Sequence, residues 1–458
     1  MNLHFGTDGL RGVANKDLTP EVALSLGRAV AHFVSADTFL IGRDTRKSGS
    51  LLQAGLAAGL ASEGLDVIDV GVIPTPGLAY LAATMHLPAA MISASHNPYL
   101  DNGIKLLSQT GMKLSDVLER AIEDELRTIA SRPYSTMIDE AVAGEKRDFR
   151  KVGNIGANLD LKKRYITHLI QSCAGDVEQI AKAGFKIVCD LANGSATSVA
   201  REVLEQIGVE AEIIFDQPDG YNINHDCGST HLTHLASKVR SAKADFGLAF
   251  DGDADRVLAI DEEGREISGD QLMVMFATDL HQRKLLSPSA IAVTVMSNLG
   301  LHRALKDHGI EVISTQVGDR YVLDAMDANG LLLGGEQSGH IIFRDKGTTG
   351  DGMLTAIMLI ALLARTGERL GVLSGKAMVK FPQVLVNVPV SSLVNIDQSV
   401  ACQEAINSAK ELLAGDGRVL VRPSGTEPVV RVMVEALDRG LADKVVNDLV
   451  SVIEQEFI

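Results

Sequence analysis

Short apolar runs alternate with longer amphipathic segments along most of the chain, and one order of segments occurs three times. Apolar runs at 38–44, 185–190 and 290–295 each end in a polar turn. A helix-length apolar segment follows each turn, and then a glycine and a second short apolar run. Strand, polar turn, helix, glycine and strand make up a βαβ unit. The pattern therefore predicts three related α/β domains.

The pattern changes after about residue 370. Residues 384–390 alternate like a strand, and residues 400–413 have the spacing of an amphipathic helix. Two more strand-like runs and a closing helix follow, which predicts a smaller α+β module. We predict domain I at 1–153, domain II at 154–252, domain III at 253–368 and a C-terminal domain at 369–458. We interpret residues 152–159 as a Gly/Asn-rich connector.

Composition excludes several classes of protein. Of the 458 residues, 46% are hydrophobic and 22% are charged, so the chain can bury large cores. The net charge of −16 argues against a nucleic-acid-binding surface. The four cysteines contain no CxxC pair, which favours a reducing compartment over a disulfide framework or zinc site. Without a secretory signal or an apolar run long enough to span a bilayer, we expect a soluble cytoplasmic protein with no membrane partner.

A serine-rich turn follows the apolar run at 89–92. Pro98 has no N–H and pushes Asn97 away from helical geometry, so the chain must turn here. Ser95 and His96 therefore lie at the end of a strand, where open α/β sheets bind ligands. Adjacent Ser and His do not make a hydrolase triad, and no G-x-S-x-G elbow surrounds Ser95. We interpret Ser95 as a phosphoryl carrier.

An acidic turn follows the apolar run at 246–250. Asp251, Asp253 and Asp255 alternate on it, so their carboxylates can point at one hard cation. An EF-hand would place glycine at the sixth loop position, where this chain has Arg256, and its flanks would be helical rather than strand-like. Three uncompensated carboxylates would repel one another. The turn predicts a Mg²⁺ site that is completed by a phosphate oxygen.

Two further polar turns have the composition of ligand-binding loops. The turn at 334–340 combines Glu336, Gln337, Ser338 and His340 between glycines, which suits hydrogen bonding to sugar hydroxyls and amines. The turn at 421–428, with Arg431 after it, has the cation, hydroxyls and free backbone N–H groups of an anion cradle. Ordinary polar turns are the alternative in both cases.

Two cations are candidates for contact with the same anion. Arg11 lies between glycines in the opening segment, which we interpret as a loop, and a plain N-terminal turn is the alternative. Lys105 follows Asn102 and Gly103 in what reads as the Ser95 loop. It could transfer protons or neutralise phosphate, whereas a solvated surface lysine is the default alternative.

Taken together, these loops resemble those of the α-D-phosphohexomutases. The match comprises 93–98 as the phosphoserine loop, 251–256 as the metal loop, 335–340 as the sugar loop and 422–428 as the phosphate loop. All four occur in the order of that family across nearly the whole chain. The resemblance implies three similar α/β/α domains with mixed sheets and a smaller C-terminal α+β domain around a central active-site cleft.

The resemblance also implies a role for each site residue. Ser95 would carry the phosphoryl group, and one Mg²⁺ would be bound by Ser95 with Asp251, Asp253 and Asp255. The groups around the reacting phosphoryl would be Arg11, His96, Lys105, Arg256 and His340, with Lys105 the first candidate for proton transfer and His340 the second. The groups that bind the substrate would be Glu336, Gln337, Ser338, Arg422, Ser424, Gly425, Thr426 and Arg431.

The implied reaction interconverts the 6-phosphate and 1-phosphate of a hexose through a 1,6-bisphosphate, which also acts as activator. Glucosamine is the favoured sugar, because relatives that act on mannose or glucose phosphates typically carry Met where Gln337 stands. Ala254 departs from the family, in which many members have glycine there. Three alternatives stay open: a phosphomannomutase/phosphoglucomutase, a metal-dependent phosphatase and a non-catalytic sugar-phosphate sensor. We expect a small-molecule substrate and a monomer or homodimer.

Overall fold

The computed structural model describes residues 4–6, 9–131, 152–392, 394–423 and 428–458. Two compact units divide the chain. The first comprises residues 1–295 and 313–374, and the second comprises residues 296–312 and 375–458.

A seven-stranded mixed sheet forms the beginning of the first unit. Its strands are β1 (Phe5–Gly6), β2 (Gly9–Val13), β3 (Thr38–Arg43), β4 (Asp66–Val72), β5 (Ala89–Ile92), β6 (Asp101–Leu107) and β7 (Ile155–Ala157). They are ordered β1-β2-β6-β5-β3-β4-β7, with β3 parallel to β4 and β5, and β6 antiparallel to β2 and β5. The helices of this region are Pro20–Ala31, Gly49–Ser62, Thr75–Met85 and Asp116–Ala130.

The start of the first helix shows how local sequence sets these boundaries. Thr19 is extended, and its side chain caps the helix by accepting a hydrogen bond from the N–H of Val22. Pro20 occupies the first helical position, where its missing N–H costs nothing. The helix packs on Gly49–Ser62, where Gly27 and Gly59 allow the two backbones to approach closely.

A second mixed sheet continues the first unit. It comprises β8 (Lys186–Asp190), β9 (Glu210–Ile214), β10 (Phe246–Phe250), β11 (Val257–Asp261) and β12 (Glu266–Ile267), in the order β12-β11-β10-β8-β9. Strands β8, β9 and β10 are parallel, and β11 pairs antiparallel with β10. The accompanying helices are Lys162–Ser172, Val177–Ala183, Ala200–Gln206 and Thr233–Ala242. Both flanks of the acidic turn are strands, as predicted against an EF-hand.

A four-stranded sheet has the order β14-β13-β15-β16. Its strands are β13 (Ala290–Thr294), β14 (Glu311–Thr315), β15 (Leu333–Gly335) and β16 (Ile341–Phe343). The helices near it in sequence are Gly269–Gln282, Asp319–Asn329 and Gly352–Thr366. Strands β13 and β15 are parallel, and β15 and β16 are antiparallel, so this sheet is also mixed.

The second unit is built on an antiparallel sheet. Its strands β17 (Gln383–Pro389), β18 (Gly417–Pro423) and β19 (Val429–Ala436) have the order β17-β19-β18. The helices Val400–Leu413 and Arg439–Phe457 cover it, and Leu299–Asp307 also belongs to this unit. The helix Leu370–Ala377 spans the boundary at residue 374. The predicted small α+β module is therefore confirmed.

Three local predictions need correction. Arg11 lies on β2 and not in a loop, and Lys105 lies on β6 and not in the Ser95 loop. Glycines in both segments indicated turns, because glycine is depleted in strands. Here the glycines allow close strand contact: a Cβ on Gly9 would lie 2.5 Å from the Ile104 carbonyl oxygen. The predicted connector at 152–159 also contains β7, which adds a parallel strand to the edge of the first sheet.

Two central strands are completely buried, namely β5 in the first sheet and β10 in the second. All four residues of β5 and all five of β10 are buried. Each fully buried Ile, Leu or Phe side chain contributes roughly 1.5–3 kcal/mol through apolar burial. The turns that follow these two strands therefore start from rigid positions. Among the described residues, no helix has both the length and the apolar character needed to cross a membrane.

Candidate active site

The turn after β5 holds Ser95 in an unusual backbone conformation. Its φ is +52°, in the left-handed region that serine rarely adopts. Ser95 is only 2% exposed. Strained residues of this kind persist only where the surroundings over-determine them, and they concentrate at functional sites.

Hydrogen bonds distinguish the two serines of this turn. The Ser93 hydroxyl donates to Asp44 Oδ2 at 2.5 Å and accepts from the backbone N–H of Ser95 at 3.0 Å. The Ser95 hydroxyl instead donates to Asp251 Oδ2 at 2.6 Å. Ser93 is therefore used to build the turn, whereas the Ser95 hydroxyl faces the acidic turn after β10.

The acidic turn brings three buried carboxylates to one point. One oxygen from each of Asp251, Asp253 and Asp255 lies within 4.8 Å of the others. The Oδ1 atoms of Asp253 and Asp255 are buried and find no hydrogen-bond partner within the part of the chain that the structure describes. Burial, and then the Asp255 and Asp253 charges, raise the pKa of Asp251 well above its usual value. Oxygen donors that are orphaned, buried and mutually repulsive fit a hard divalent cation.

Lys105 and Thr75 stabilise one member of this group. Lys105 Nζ lies 2.9 Å from Asp253 Oδ2 and 3.8 Å from Asp255 Oδ2, and the lysine is 3% exposed. The Thr75 hydroxyl donates to Asp253 Oδ2 at 2.6 Å. Burial alone would raise the pKa of Asp253, but Lys105 and Thr75 outweigh it and lower that pKa. The carboxylate therefore stays ionised.

His96 and Arg256 flank the Ser95 hydroxyl. His96 Nδ1 lies 3.4 Å from Ser95 Oγ and 3.2 Å from Arg256 Nη1. Burial, and then the charges of Arg256 and Arg11, lower the pKa of His96, so the ring is neutral at physiological pH. Arg256 Nε lies 3.7 Å from Asp255 Oδ1. Arg256 therefore brings positive charge close to the His96 nitrogen that contacts Ser95 Oγ.

His340 has a defined tautomer. The backbone N–H of Gly350 donates to His340 Nε2 at 3.1 Å, which requires a lone pair on that nitrogen. His340 Nδ1 lies 3.6 Å from Asp255 Oδ2. Burial opposes protonation of this ring, but the Asp255 carboxylate outweighs burial and raises its pKa above the usual value of histidine. In the neutral tautomer that the Gly350 N–H selects, the hydrogen lies on Nδ1, which faces Asp255.

The turn at 334–340, hereafter the sugar-type turn, contains His340. Among the described residues, Ser338 Oγ is buried and finds no hydrogen-bond partner, and Glu336 Oε1 accepts from the N–H of Gly318 at 3.3 Å. The Gln337 carbonyl accepts from the N–H of Gly269 at 3.0 Å. A cavity of about 220 Å³ is lined by Lys105, Asp255 and His340 among others, and Glu336, Gln337 and Ser338 do not belong to its lining. A buried hydroxyl that is left without a partner suits a hydroxylated ligand.

The second unit carries a separate cationic pair. Arg422 on β18 lies directly opposite Arg431 on β19, and both line a cavity of about 280 Å³. Burial, and then the Arg431 charge, lower the pKa of Arg422. Like charges in cross-strand register are unfavourable unless an anion compensates them. Ser424, Gly425 and Thr426 lie outside the described residues.

Within the first unit, most of the predicted reactive groups form one contact network. It links Ser95, His96, Lys105, Asp251, Asp253, Asp255, Arg256 and His340. Arg11 acts on this network through its charge at His96. Three contributors were missed by sequence reasoning, namely Arg46, Thr75 and Asn224. Arg46 and Thr75 follow the apolar runs of β3 and β4. A search of the turns after predicted strands, where open α/β sheets bind ligands, would therefore have found both residues.

Family models match most of the chain. The phosphoglucomutase/phosphomannomutase α/β/α domains I, II and III match residues 2–133, 163–264 and 268–381, and the C-terminal domain of the same family matches residues 385–452. The predicted fold class of three α/β/α domains and a smaller C-terminal domain is therefore confirmed.

Solved structures have the same fold. A phosphoglucomutase/phosphomannomutase family protein from Burkholderia thailandensis aligns with a TM-score of 0.77 at 24% identity, covering 99% of this chain and 96% of that one. The Aspergillus fumigatus N-acetylphosphoglucosamine mutase, solved with GlcNAc-6P and magnesium, aligns with a TM-score of 0.66 at 19% identity, covering 99% and 95%.

Relatives found by sequence share a higher identity with this chain than these two solved structures do. Phosphoglucosamine mutases from Pelotomaculum thermopropionicum and Carboxydothermus hydrogenoformans are each 47% identical, over 460 and 462 residues, covering 99% of this chain and 100% of each relative. The chain therefore belongs to the phosphoglucomutase/phosphomannomutase family of isomerases and groups there with relatives that are named phosphoglucosamine mutase.

Proposed function

We propose that this enzyme interconverts glucosamine 6-phosphate and glucosamine 1-phosphate, with Ser95 as the phosphoryl carrier. The 2.6 Å hydrogen bond from Ser95 Oγ to Asp251 Oδ2 is the observation that carries the proposal. It places a strained, buried hydroxyl on a cluster of three buried carboxylates. The relatives named phosphoglucosamine mutase support the choice of sugar.

Asp251, Asp253, Asp255 and phosphorylated Ser95 would hold one Mg²⁺, which would offset negative charge on the transferring group. The orphaned Asp253 and Asp255 oxygens support this assignment. Arg11, Arg256 and neutral His96 would surround the phosphoryl oxygens. Fixed positive charge and hydrogen-bond donors act strongly in such a buried site, because they need no reorganisation during the reaction.

The reaction then consists of two transfers. In the first, the bond from phosphorus to Ser95 Oγ breaks and a bond to O1 of glucosamine 6-phosphate forms, giving the 1,6-bisphosphate. After the intermediate reorients, the bond from phosphorus to O6 breaks and a new bond to Ser95 Oγ forms. Glucosamine 1-phosphate leaves, and the phosphoserine is regenerated. Added sugar 1,6-bisphosphate would reload an enzyme that has lost its phosphoryl group.

Proton balance requires a group that both gives and takes a proton, and Lys105 is our first candidate. The attacking O1 hydroxyl loses a proton in the first transfer, and Ser95 Oγ gains one. The Lys105 ammonium, which lies next to Asp253 and Asp255, would give a proton to Ser95 Oγ and, as the neutral amine, would then take the proton of the sugar hydroxyl. His340, with hydrogen on Nδ1, is the second candidate.

The remaining predicted residues would hold the substrate. Glu336, Gln337 and Ser338 would bind the sugar edge, and the buried orphan hydroxyl of Ser338 supports this. Arg422 and Arg431, with Ser424, Gly425 and Thr426, would hold the phosphate that is not reacting. The cross-strand arginine pair supports an anion there.

Several broader statements stay predictions. These are the domain boundaries after residues 153, 252 and 368, a cytoplasmic location, a small-molecule substrate with no nucleic-acid or membrane partner, and a monomeric or homodimeric state.

Intact-mass measurement tests the carrier. Purified enzyme treated with glucose 1,6-bisphosphate should contain a fraction heavier by one phosphoryl group. Ser95→Ala should lose both that fraction and the mutase activity. Ser241→Ala, which removes an exposed hydroxyl bonded only to the Lys238 carbonyl, should keep both. Full activity in Ser95→Ala would exclude Ser95 as the carrier.

Substrate comparison tests the sugar. The kcat/KM for glucosamine 6-phosphate should exceed those for glucose and mannose phosphates. A preference for mannose or glucose phosphate would instead assign the chain to the phosphomannomutase/phosphoglucomutase activity. Release of inorganic phosphate without a 1-phosphate product would identify a phosphatase.

A further inference from the structure

We propose that Arg46 and Asn224 are positioning residues that together hold the Ser95 peptide in its left-handed conformation and so aim the Ser95 hydroxyl at the metal site. This inference rests on the proposed function, because it assumes that Ser95 carries the phosphoryl group. Neither residue belongs to the four loops that carry the family resemblance.

The guanidinium group of Arg46 binds Asp44 and the turn that contains Ser95. The side chain is fully buried, and Nε donates to Asp44 Oδ2 at 2.9 Å. Nη2 donates to the carbonyls of Ser95 at 2.9 Å and Asn97 at 2.8 Å. Nη1 donates to the carbonyls of Pro98 and Asp101, the latter at 3.0 Å. These bonds use all five guanidinium N–H donors. Four of the five donors bind backbone carbonyls between Ser95 and Asp101.

Asn224 reaches the same two carbonyls from a different part of the sequence. Its Nδ2 donates to the Ser95 carbonyl at 2.8 Å and to the Asn97 carbonyl at 3.0 Å. Asn224 is 8% exposed, and its own backbone N–H donates to the Ala192 carbonyl at 2.9 Å. Each of the two carbonyls therefore accepts two hydrogen bonds, one from Arg46 and one from Asn224.

The metal loop closes the third side of the Ser95 peptide. A Cβ added to Gly252, between Asp251 and Asp253, would lie 2.5 Å from the Ser95 carbonyl oxygen and 2.8 Å from Asn224 Nδ2. The peptide is thus fixed by a buried cation, an amide and the backbone of the metal loop. A carbonyl held in this way cannot rotate, and the positive φ of Ser95 is maintained against its strain.

Asp44 connects the arginine to the neighbouring serine as well. The carboxylate accepts from Arg46 Nε and from the Ser93 hydroxyl, and Ser93 Oγ accepts from the Ser95 N–H. Both sides of the Ser95 residue are therefore fixed, its N–H through Ser93 and its carbonyl through Arg46. The side-chain hydroxyl is left as the group that faces Asp251.

Arg46 and Asn224 should affect turnover more than substrate binding. Neither lines the 220 Å³ cavity that Lys105, Asp255 and His340 share. Misplacement of a reacting atom by about 1 Å can cost roughly 100-fold in rate. Loss of the hydrogen bonds from Arg46 and Asn224 to the Ser95 carbonyl should therefore lower kcat and leave the KM for sugar phosphate almost unchanged.

Two conservative variants test the proposal. Arg46→Lys keeps the charge but cannot reproduce the planar set of donors. Asn224→Asp keeps the shape but turns an oxygen toward the two carbonyls. Matched controls are Arg28→Lys, which changes a partly buried arginine bound to Glu63, and Asn329→Asp, which changes an exposed amide bound to the Ala325 carbonyl.

We expect kcat to fall by about 100-fold in each test variant, with KM changed by less than about twofold. Transfer of a phosphoryl group from glucose 1,6-bisphosphate to Ser95, followed by intact mass, should slow by a similar factor. The controls should retain both rates. Unchanged kcat in a folded variant, or a change confined to KM, would overturn the proposal.

If Arg46→Lys does not fold, Asn224→Ala carries the test, because it leaves all five Arg46 bonds in place. The same fall in kcat is expected in this variant. A wild-type kcat in Asn224→Ala would overturn the proposal that these two residues position Ser95. The proposed function fails on a different result, namely wild-type enzyme that never acquires a phosphoryl group on Ser95.

Discussion

The Ser95 hydroxyl donates a 2.6 Å hydrogen bond to Asp251, a residue 156 positions away in the sequence. The bond joins the turn after β5 to the turn after β10. Both strands are completely buried, so the two turns are presented by rigid supports. The bond therefore brings a hydroxyl and a cluster of three carboxylates together at two strand ends.

Removal of the metal should abolish activity and change stability. The three buried carboxylates repel one another without a cation, so chelation should lower the melting temperature and added Mg²⁺ should restore it. Asp253→Asn should lose the Mg²⁺-dependent shift, measured by thermal unfolding with and without chelator. Asp124→Asn, which changes a 77% exposed carboxylate, should keep it. An equal shift in both variants would place the cation elsewhere.

Replacement of Lys105 should affect chemistry strongly. Lys105→Met removes a buried ammonium group 2.9 Å from Asp253 Oδ2 and keeps much of the side-chain volume. General acid–base catalysis contributes about 10²–10⁴-fold, so we expect kcat to fall within that range. Steady-state kinetics of Lys105→Met and Lys238→Met make the comparison, since Lys238 pairs with Glu212 and does not line the cavity that Lys105 lines. Less than about tenfold loss in Lys105→Met would exclude proton transfer by this residue.

Gly252 should not tolerate alanine. The added methyl group would lie 2.5 Å from the Ser95 carbonyl oxygen, so the turn after β5 or the turn after β10 would have to move. We expect kcat to fall by about 100-fold. Gly175→Ala is the matched control, because a Cβ there would meet nothing within 4 Å. Comparable kinetics in the two variants would mean that the two turns can separate without loss of function.

Asp190 should make stability depend on pH. Burial raises its pKa from 3.8 to about 6 in the folded protein, against opposing hydrogen bonds from the N–H groups of Gly228 and Ala192. Between these values the folded state binds more protons than the unfolded state, so the contribution of Asp190 to stability falls as pH rises from about 4 to 6. The full change is about 3 kcal/mol at 1.36 kcal/mol per pKa unit.

Asp190→Asn removes this titration. The stability of the variant relative to the wild type should therefore rise between pH 4 and pH 7, measured by urea unfolding followed by circular dichroism. Asp226→Asn, which alters a 72% exposed carboxylate, is the control. A relative stability of Asp190→Asn that does not change with pH would contradict the raised pKa.

The sequence alone determined the domain pattern and the chemistry of the loops. The spacing of apolar residues identifies buried strands, and the positions of glycine and proline identify the turns after them. Both signals depend only on residues that are close together in the sequence. For the same reason, Ser95, the three aspartates and the sugar-type turn could be selected without coordinates.

Tertiary structure decided which of these groups meet and what holds them. Arg11 and Lys105 lie on strands, although neighbouring glycines indicated loops, because long-range pairing overrides local propensity. Arg46 and Asn224 meet at the Ser95 carbonyl from positions 178 residues apart, a relationship that no local pattern encodes. Contacts between distant segments depend on sheet order and register, which the linear spacing of residues does not specify.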